Sequence, residues 1–290
     1  MNVTKRSVST LAILAFAPVA AIAQGQRSAA PDTVVVHNWS VTLHGLLWHP
    51  AGQGPFPAIL INHGSGRTPE ELARLGPYER QADTLGPVFA RHGYVLLFLF
   101  RRGVGLSATQ GANAIDSMNL ELAAHGQQGR NTLQLQLLEG REMSDALAGL
   151  AFLRRLPDVD PHDIGLVGHS FGGSLTFLMA AREPEVRAVV IFSGAGYSWD
   201  RSRQLRQLLL STAAHVRAPV FLIHAANDYS TGMGTALDAR LQQLGKSHRL
   251  KIYPAIGRTP EDGHAFPLLG VRQWEPDVFP FLDEYMRKRP

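Results

Sequence analysis

Residues 164–181 read IGLVGHSFGGSLTFLMAA, an apolar run that breaks on Gly168-His169-Ser170-Phe171-Gly172-Gly173 and continues at once as an apolar-periodic helix. No other stretch constrains the fold as much. A strand passing into a helix through so short a turn opens a βα unit and lifts the central side chain off the backbone at the strand's C-terminal edge. A hydroxyl is a poor nucleophile near neutral pH unless its oxygen projects and a base stands beside it. The turn supplies the projection, and it needs glycine on both sides because larger side chains would collide there. G-x-S-x-G also arises by chance in glycine-rich chains. The strand before it and the helix after it separate this instance from accident.

The rest of the chain repeats the same unit. PAILIN (57–62), GYVLLFLF (93–100), IGLVGH (164–169), RAVVIFSG (187–194), PVFLIHA (219–225) and HRLKIYP (248–254) are continuous apolar runs, as strands covered on both faces should be. Helical patterns fall between them near 78–91, 133–155, 171–182, 232–244 and 277–288, the last starting or bending at Pro280. Ahead of them TVVVHNWSVTLHGLLWHP (33–50) alternates as two short strands that pair as a hairpin or sheet edge. Regular alternation implies right-handed crossovers, an α/β fold and a mainly parallel sheet with helices on both faces. With no repeat or Pro/Ser-rich linker inside it, 33–290 reads as a single domain. Two connections stand out by length, 101–131 and 194–218, and both leave strand C-terminal ends, where open α/β sheets hold ligands.

The first 23 residues, MNVTKRSVSTLAILAFAPVAAIA, have a basic start, an apolar run and small residues at Ala21 and Ala23. That is the layout of a signal peptide cleaved after Ala23, followed by a polar linker over 24–32. The competing reading, a membrane anchor, needs about 20 apolar residues, and the run from Leu11 to Ala23 is shorter. An exported protein, periplasmic or secreted, without stable membrane anchorage is therefore expected. The chain has no cysteine, which removes disulfides, thiolate metal sites and a cysteine nucleophile together. Its formal charge of +4 becomes +2 without Lys5 and Arg6, (28 − 2) − 24, with the basic residues scattered. Nucleic acid is not an expected partner.

A nucleophile at Ser170 calls for further parts. The oxyanion of a tetrahedral intermediate needs donors, and the Phe171 N–H, opening a helix, is one. A second should leave an earlier strand, where His63-Gly64-Ser65-Gly66 follows PAILIN and offers the Ser65 N–H; an ordinary glycine turn is the alternative. An acid should follow in chain order at a later strand end, and Asp228 stands just past PVFLIHA, although Asn227-Asp228 also suits a plain turn. The base falls on His264 in the loop IGRTPEDGH after the last strand, since His248, the other downstream histidine, lies at a strand start. Glu261 and Asp262 are its sequence neighbours, but Asp228 fits the orienting role better. His63 and His169 are expected to shape their turns. Arg67, Arg101 and Arg102 all leave strand ends; solvated surface charge is the ordinary reading of such arginines, and the functional reading is that they bind substrate by facing an acidic group on it.

With GHSFGG, HGSG, NDYST (227–231) and GHAF (263–266) in this order, the chain from about residue 40 onward resembles the α/β-hydrolase superfamily, particularly its dienelactone-hydrolase-like and prolyl-oligopeptidase-like branches. FLRRLPDVDPHDIGLVGHSFGG (152–173) is similar to the lead-in to the nucleophile in those branches. The resemblance implies an α/β-hydrolase fold with about eight mostly parallel strands and a Ser170–His264–Asp228 triad. This chain departs from it in carrying serine where typical dienelactone hydrolases carry cysteine, and in having only a short segment where prolyl-oligopeptidase relatives carry a propeller. FRRGVGLS (100–107) resembles a glycine-bearing loop of many α/β-hydrolases, with Phe100 or Arg101 replacing an acid often found there. The resulting expectation is a serine hydrolase cleaving a small or moderately sized soluble ester through an acyl-enzyme, with no metal, no cofactor and no large lid. A peptidase or amidase, or a non-catalytic binding protein on the same scaffold, is the alternative. Oligomeric state and acyl specificity are not legible.

Overall fold

The computed structural model describes residues 30–287. The expected signal peptide (1–23) and residues 24–29 of the linker lie outside the described residues. In chain order the elements are β1 (Asp32–Asn38), β2 (Val41–Trp48), β3 (Phe56–Asn62), α1 (Pro69–Leu75), α2 (Tyr78–Arg91), β4 (Val95–Phe100), a 3₁₀ turn (Gly105–Gln110), α3 (Ala114–Glu139) and α4 (Arg141–Leu153). They continue as β5 (Val159–His169), α5 (Phe171–Arg182), β6 (Val189–Phe192), α6 (Arg203–Thr212), β7 (Val220–Ala225), α7 (Gly232–Gln243), β8 (His248–Tyr253), α8 (Pro260–His264), α9 (Phe266–Leu269) and α10 (Val271–Met286).

All eight strands form one sheet in the order β1-β2-β4-β3-β5-β6-β7-β8. β1–β2 and β2–β4 are antiparallel and the remaining pairs parallel, so the expected hairpin becomes one edge of a parallel sheet. The pleat sorts each apolar run into two cores. Ala58 and Leu60 of β3, Val95, Leu97 and Leu99 of β4, and Val220 and Leu222 of β7 pack with α3 to α7. Their neighbours Ile59, Ile61, Leu96, Phe98, Phe221 and Ile223 pack with α2, α9 and α10. Two-sided burial is why these strands are continuous rather than alternating in sequence.

Several boundaries differ from expectation. β5 begins at Val159, five residues early, because Val159 pairs with Phe56 across a register irregularity before Ile164 joins Ala58. The helix expected over 133–155 is two helices parted at Gly140, and the first begins at Ala114, where the Asn113 side chain accepts the Ile115 N–H. Much of the expected 101–131 connection is therefore helical. α3 itself turns at Gly126, whose φ of 65° and ψ of −165° are far from helical. α10 starts at Val271 and carries both Pro276 and Pro280. Among the described residues no helix is long and apolar enough to cross a membrane.

Candidate active site

Ser170 sits between the last residue of β5 and the first of α5, with φ 58° and ψ −120°, a left-handed conformation that a β-carbon disfavours. The surrounding structure enforces it. A Cβ on Gly172 would come within 2.1 Å of the Asn62 carbonyl oxygen and 2.2 Å of that of His63, and one on Gly168 within 2.4 Å of the Gly172 carbonyl oxygen. Only glycine lets the helix start this close to the end of β3. The Ser170 N–H is held by the Phe192 carbonyl at 3.0 Å on the neighbouring strand.

From this turn an unbroken chain of hydrogen bonds runs to a buried carboxylate. Ser170 Oγ is 2.8 Å from His264 Nε2, and His264 Nδ1 is 2.7 Å from Asp228 Oδ1. Asp228, on the turn after β7, is only 8% exposed. Burial alone would raise its pKa, but the charge of His264 and the hydrogen bonds from His224 and His264 outweigh that and hold the carboxyl well below the usual carboxylate range. His264 ends the short helix α8 rather than lying on an open loop. Asp262 caps that helix, accepting the Thr259 and Arg258 N–H groups, and it also meets Arg74. It is occupied where it stands, which is why the sequence neighbour does not orient His264. His169 reaches from the β5–α5 turn to the His264 carbonyl at 2.8 Å and fixes that backbone, while burial, then the charge of His264, lowers its pKa to about 3.

The chain opens into a cavity of about 230 Å³ bordered by Gly64, Ser65, Ser170, Phe171 and His264. A Cβ on Gly64 would lie 3.7 Å from Ser170 Cβ, so the HGSG loop runs directly past Ser170. His63 holds that loop from the core side. Fully buried, it bonds the Gly64 carbonyl through Nδ1 at 2.7 Å and accepts the Arg101 N–H at Nε2, 3.0 Å away. Burial first, then the Arg101 guanidinium, lowers its pKa well below the ordinary value.

The three arginines separate. Arg67 borders the cavity, with its guanidinium 4.6 Å from the centre of the Tyr78 ring and bonded to the carbonyls of Gly76 and Pro77. Arg101 does not face substrate: it is 1% exposed, paired with Glu142 at 2.8 Å, and bonded to the carbonyls of His63 and Gly64, each at 2.8 Å. Arg102 also turns away, bonding both oxygens of the buried Asp145 at 2.5 and 2.9 Å. A charge leaving a strand end is drawn to whichever carboxylate the fold buries nearby, and here α4 supplies two.

Sequence reasoning passed over Arg130. It borders the cavity from α3 at 4% exposure, and among the described residues its Nη1 has no hydrogen-bond partner. Gln134, one turn further along, also borders the cavity and has its Oε1 unpartnered. The Arg130 guanidinium lies 5.1 Å from the Tyr197 ring centre, and its pKa is lowered by burial and by Arg201 against the pull of Tyr197. Ile115 and Met118 line the same cavity. In a straight helix residues 115 and 134 would lie about 28 Å apart, so the turn at Gly126 is what lets both halves of α3 face it. The i, i+4 spacing of Arg130 and Gln134 was the only sequence signal available. Among the described residues no group of three or more His, Cys, Asp or Glu side chains could hold a metal ion.

The eight-stranded sheet with a serine at the β5–α5 turn defines an α/β-hydrolase. More narrowly, the chain belongs to the dienelactone hydrolase family, whose profile matches residues 43–268. It is 27% identical over 219 residues to a Methylorubrum extorquens protein described as a candidate carboxymethylenebutenolidase, covering 75% of this chain and 65% of that one. The chain thus spans just under two thirds of that relative. Among solved structures it is similar to a dienelactone hydrolase from Anabaena variabilis (24% identity, TM-score 0.58, covering 89% of this chain and 100% of the other). It is also similar to the Pyrococcus horikoshii acylaminoacyl peptidase (20% identity, TM-score 0.62, covering 90% and 42%). At these identities the solved structures establish the fold alone.

Proposed function

We propose that this chain hydrolyses a carboxylic ester or lactone of a small substrate through a Ser170 acyl-enzyme. The observation that carries the reading is the continuous Ser170–His264–Asp228 hydrogen-bond chain opening on the cavity. As Ser170 Oγ attacks the ester carbonyl, His264 Nε2 takes its proton, and the ionised Asp228 keeps the imidazole turned and stabilises its positive charge. The negative oxygen of the tetrahedral intermediate is received by the backbone N–H groups of Ser65 and Phe171, the latter free of an intrahelical acceptor because it opens α5. His264 returns the proton to the departing alkoxide, leaving an acyl-serine. Water then attacks with His264 as base, and the acid is released as the proton goes back to Ser170.

The cavity supports a small substrate bearing an acidic group. Its volume of about 230 Å³ is at or below the small end of the ligand-site range. Arg130 and Gln134 offer a cation and an acceptor that the fold leaves open, and Arg67 borders the same cavity. The relative's described substrate, a carboxymethylenebutenolide, is an ester of this general kind. Export, with cleavage after Ala23, belongs to the same proposal, and N-terminal sequencing of the protein recovered from periplasm and medium tests it. The activity is tested by comparing p-nitrophenyl acetate, an acid-bearing phenyl ester and an aminoacyl anilide. Ester turnover is expected, higher in kcat/KM for the acid-bearing ester. Anilide turnover without ester turnover would replace the reading with a peptidase.

A further inference from the structure

The hydrogen-bond chain does not end at the carboxylate. Asp228 Oδ1 accepts from His264 Nδ1 and from the Tyr229 N–H, each at 2.7 Å, and Oδ2 accepts from a second imidazole, His224 Nδ1, at 3.0 Å. His224 is fully buried on β7, four residues before Asp228. Strand alternation directs it to the α7 side of the sheet, and α7 makes room for it. A Cβ on Gly234 would stand 2.7 Å from His224 Cδ2 and 2.8 Å from Nε2.

A polar ring in the middle of an apolar strand is costly unless it is paired. Leucine or phenylalanine would serve the core better, and among the described residues its one hydrogen-bond partner is Asp228. An ionised carboxylate can only accept, so the proton of this bond sits on His224 Nδ1. Nε2 then carries a lone pair, and among the described residues it has no partner. An orphaned buried acceptor is more readily tolerated than an orphaned buried N–H, which favours the same tautomer.

The geometry points to His224 as a positioning residue for the reaction: its Nδ1–H fixes Oδ2 so that Oδ1 faces His264. This rests on the triad reading above. A carboxylate on a turn can rotate about its last torsion, which has broad wells. With a donor on each oxygen it has one orientation, and the imidazole it orients has one as well. Three donors also spread the carboxylate charge, so the proton taken from Ser170 stays on His264 rather than passing to Asp228.

The test is kcat and KM for p-nitrophenyl acetate in full-length wild type, His224→Asn and His224→Leu, per mole of folded enzyme from near-ultraviolet circular dichroism. Asparagine keeps an N–H donor near the Nδ1 position, while leucine keeps volume without a donor. The leucine variant should lose roughly 10- to 100-fold in kcat with KM within about twofold, as for a lost hydrogen bond to a charged group. The asparagine variant should stay within about threefold of wild type. Long-range proton–nitrogen spectra of wild type should place the His224 proton on Nδ1, a readout that stands if the leucine variant does not fold. Wild-type kcat in the leucine variant, equal losses in both variants, or a ring protonated on Nε2 instead would each overturn the inference. Ser170→Ala measured alongside separates the two levels: undiminished turnover there would sink the triad itself.

Discussion

The two walls of the cavity are finished to different degrees. Along the strand ends each polar group of the relay has its partner: Ser170 meets His264, His264 meets Asp228, and Asp228 meets His224 and the Tyr229 amide. The HGSG loop is tied through Arg101 to the His63 and Gly64 carbonyls and to Glu142, although Arg101 Nη1, Glu142 Oε1, His169 Nδ1 and His224 Nε2 have no hydrogen-bond partner among the described residues. On the α3 wall Arg130 and Gln134 are just as buried, and their open Nη1 and Oε1 belong to a neighbouring cation and amide that both border the cavity, which Arg101, Glu142 and His224 do not. An unmet buried polar atom costs about 1–3 kcal/mol, and folding alone gains nothing from it. The contrast separates two tasks. On the proposed function, Ser170, His264 and Asp228 are held in place before a substrate arrives, whereas Arg130 and Gln134 are left for the substrate to complete.

The relay wall should respond most. Ser170→Ala or His264→Ala should reduce p-nitrophenyl acetate turnover on the order of 10⁴- to 10⁶-fold, and Asp228→Asn about 10⁴-fold. Asp262→Asn should leave turnover within about threefold and lower the urea midpoint only slightly, by weakening the capping box it forms with Thr259. Collapse in Asp262→Asn with Asp228→Asn intact would reverse the assignment.

The α3 wall should respond selectively. Arg130→Met should raise KM for an acid-bearing ester roughly 10- to 100-fold, the loss of a charge-assisted hydrogen bond, and leave a neutral ester unchanged. Equal effects on both esters would erase the distinction between the walls.

Behind the HGSG loop, Glu142→Gln would leave the buried Arg101 short of its countercharge. A cost of about 3–5 kcal/mol is expected for breaking such a pair, and the urea midpoint reads it. An unmoved midpoint would mean that the loop is held without it.

A further effect is on stability against pH. His63 and His169 have folded pKa values below their ordinary value, His169 at about 3. Between the folded and unfolded values the unfolded chain binds more protons, so falling pH favours unfolding. Their contribution is intact above an unfolded pKa of about 6.5 and is lost progressively as pH falls toward the folded values. Unfolding free energy should therefore decline from about pH 7 to about pH 5, above the main carboxylate range; a flat profile there would contradict the burial of these rings.

How much of this was legible in the sequence follows from what sets each feature. The sheet and the Ser170 turn were readable because two-sided burial forces continuous apolar runs and the turn admits little besides glycine. Asp228 and His264 were readable from chain order, although His264 ends a short helix rather than standing on a loop. α3 was half hidden, since the turn at Gly126 rotates its second half and no single 3.6-residue face runs through it. Arg101 and Arg102 were misplaced because position along a strand end does not fix a side chain's direction; their partners Glu142 and Asp145 lie on α4, about 40 residues away in sequence. His224 was concealed inside an apolar strand, where only the folded turn reveals that a carboxylate returns to meet it.

The most direct test of the central claim is intact-mass and peptide-mapping mass spectrometry after a fluorophosphonate is added to the folded protein. One adduct is expected, on the peptide carrying Ser170, with labelling abolished in Ser170→Ala and strongly slowed in His264→Ala. Labelling at another residue, or equal labelling of wild type and Ser170→Ala, would contradict the assignment of Ser170 as the nucleophile.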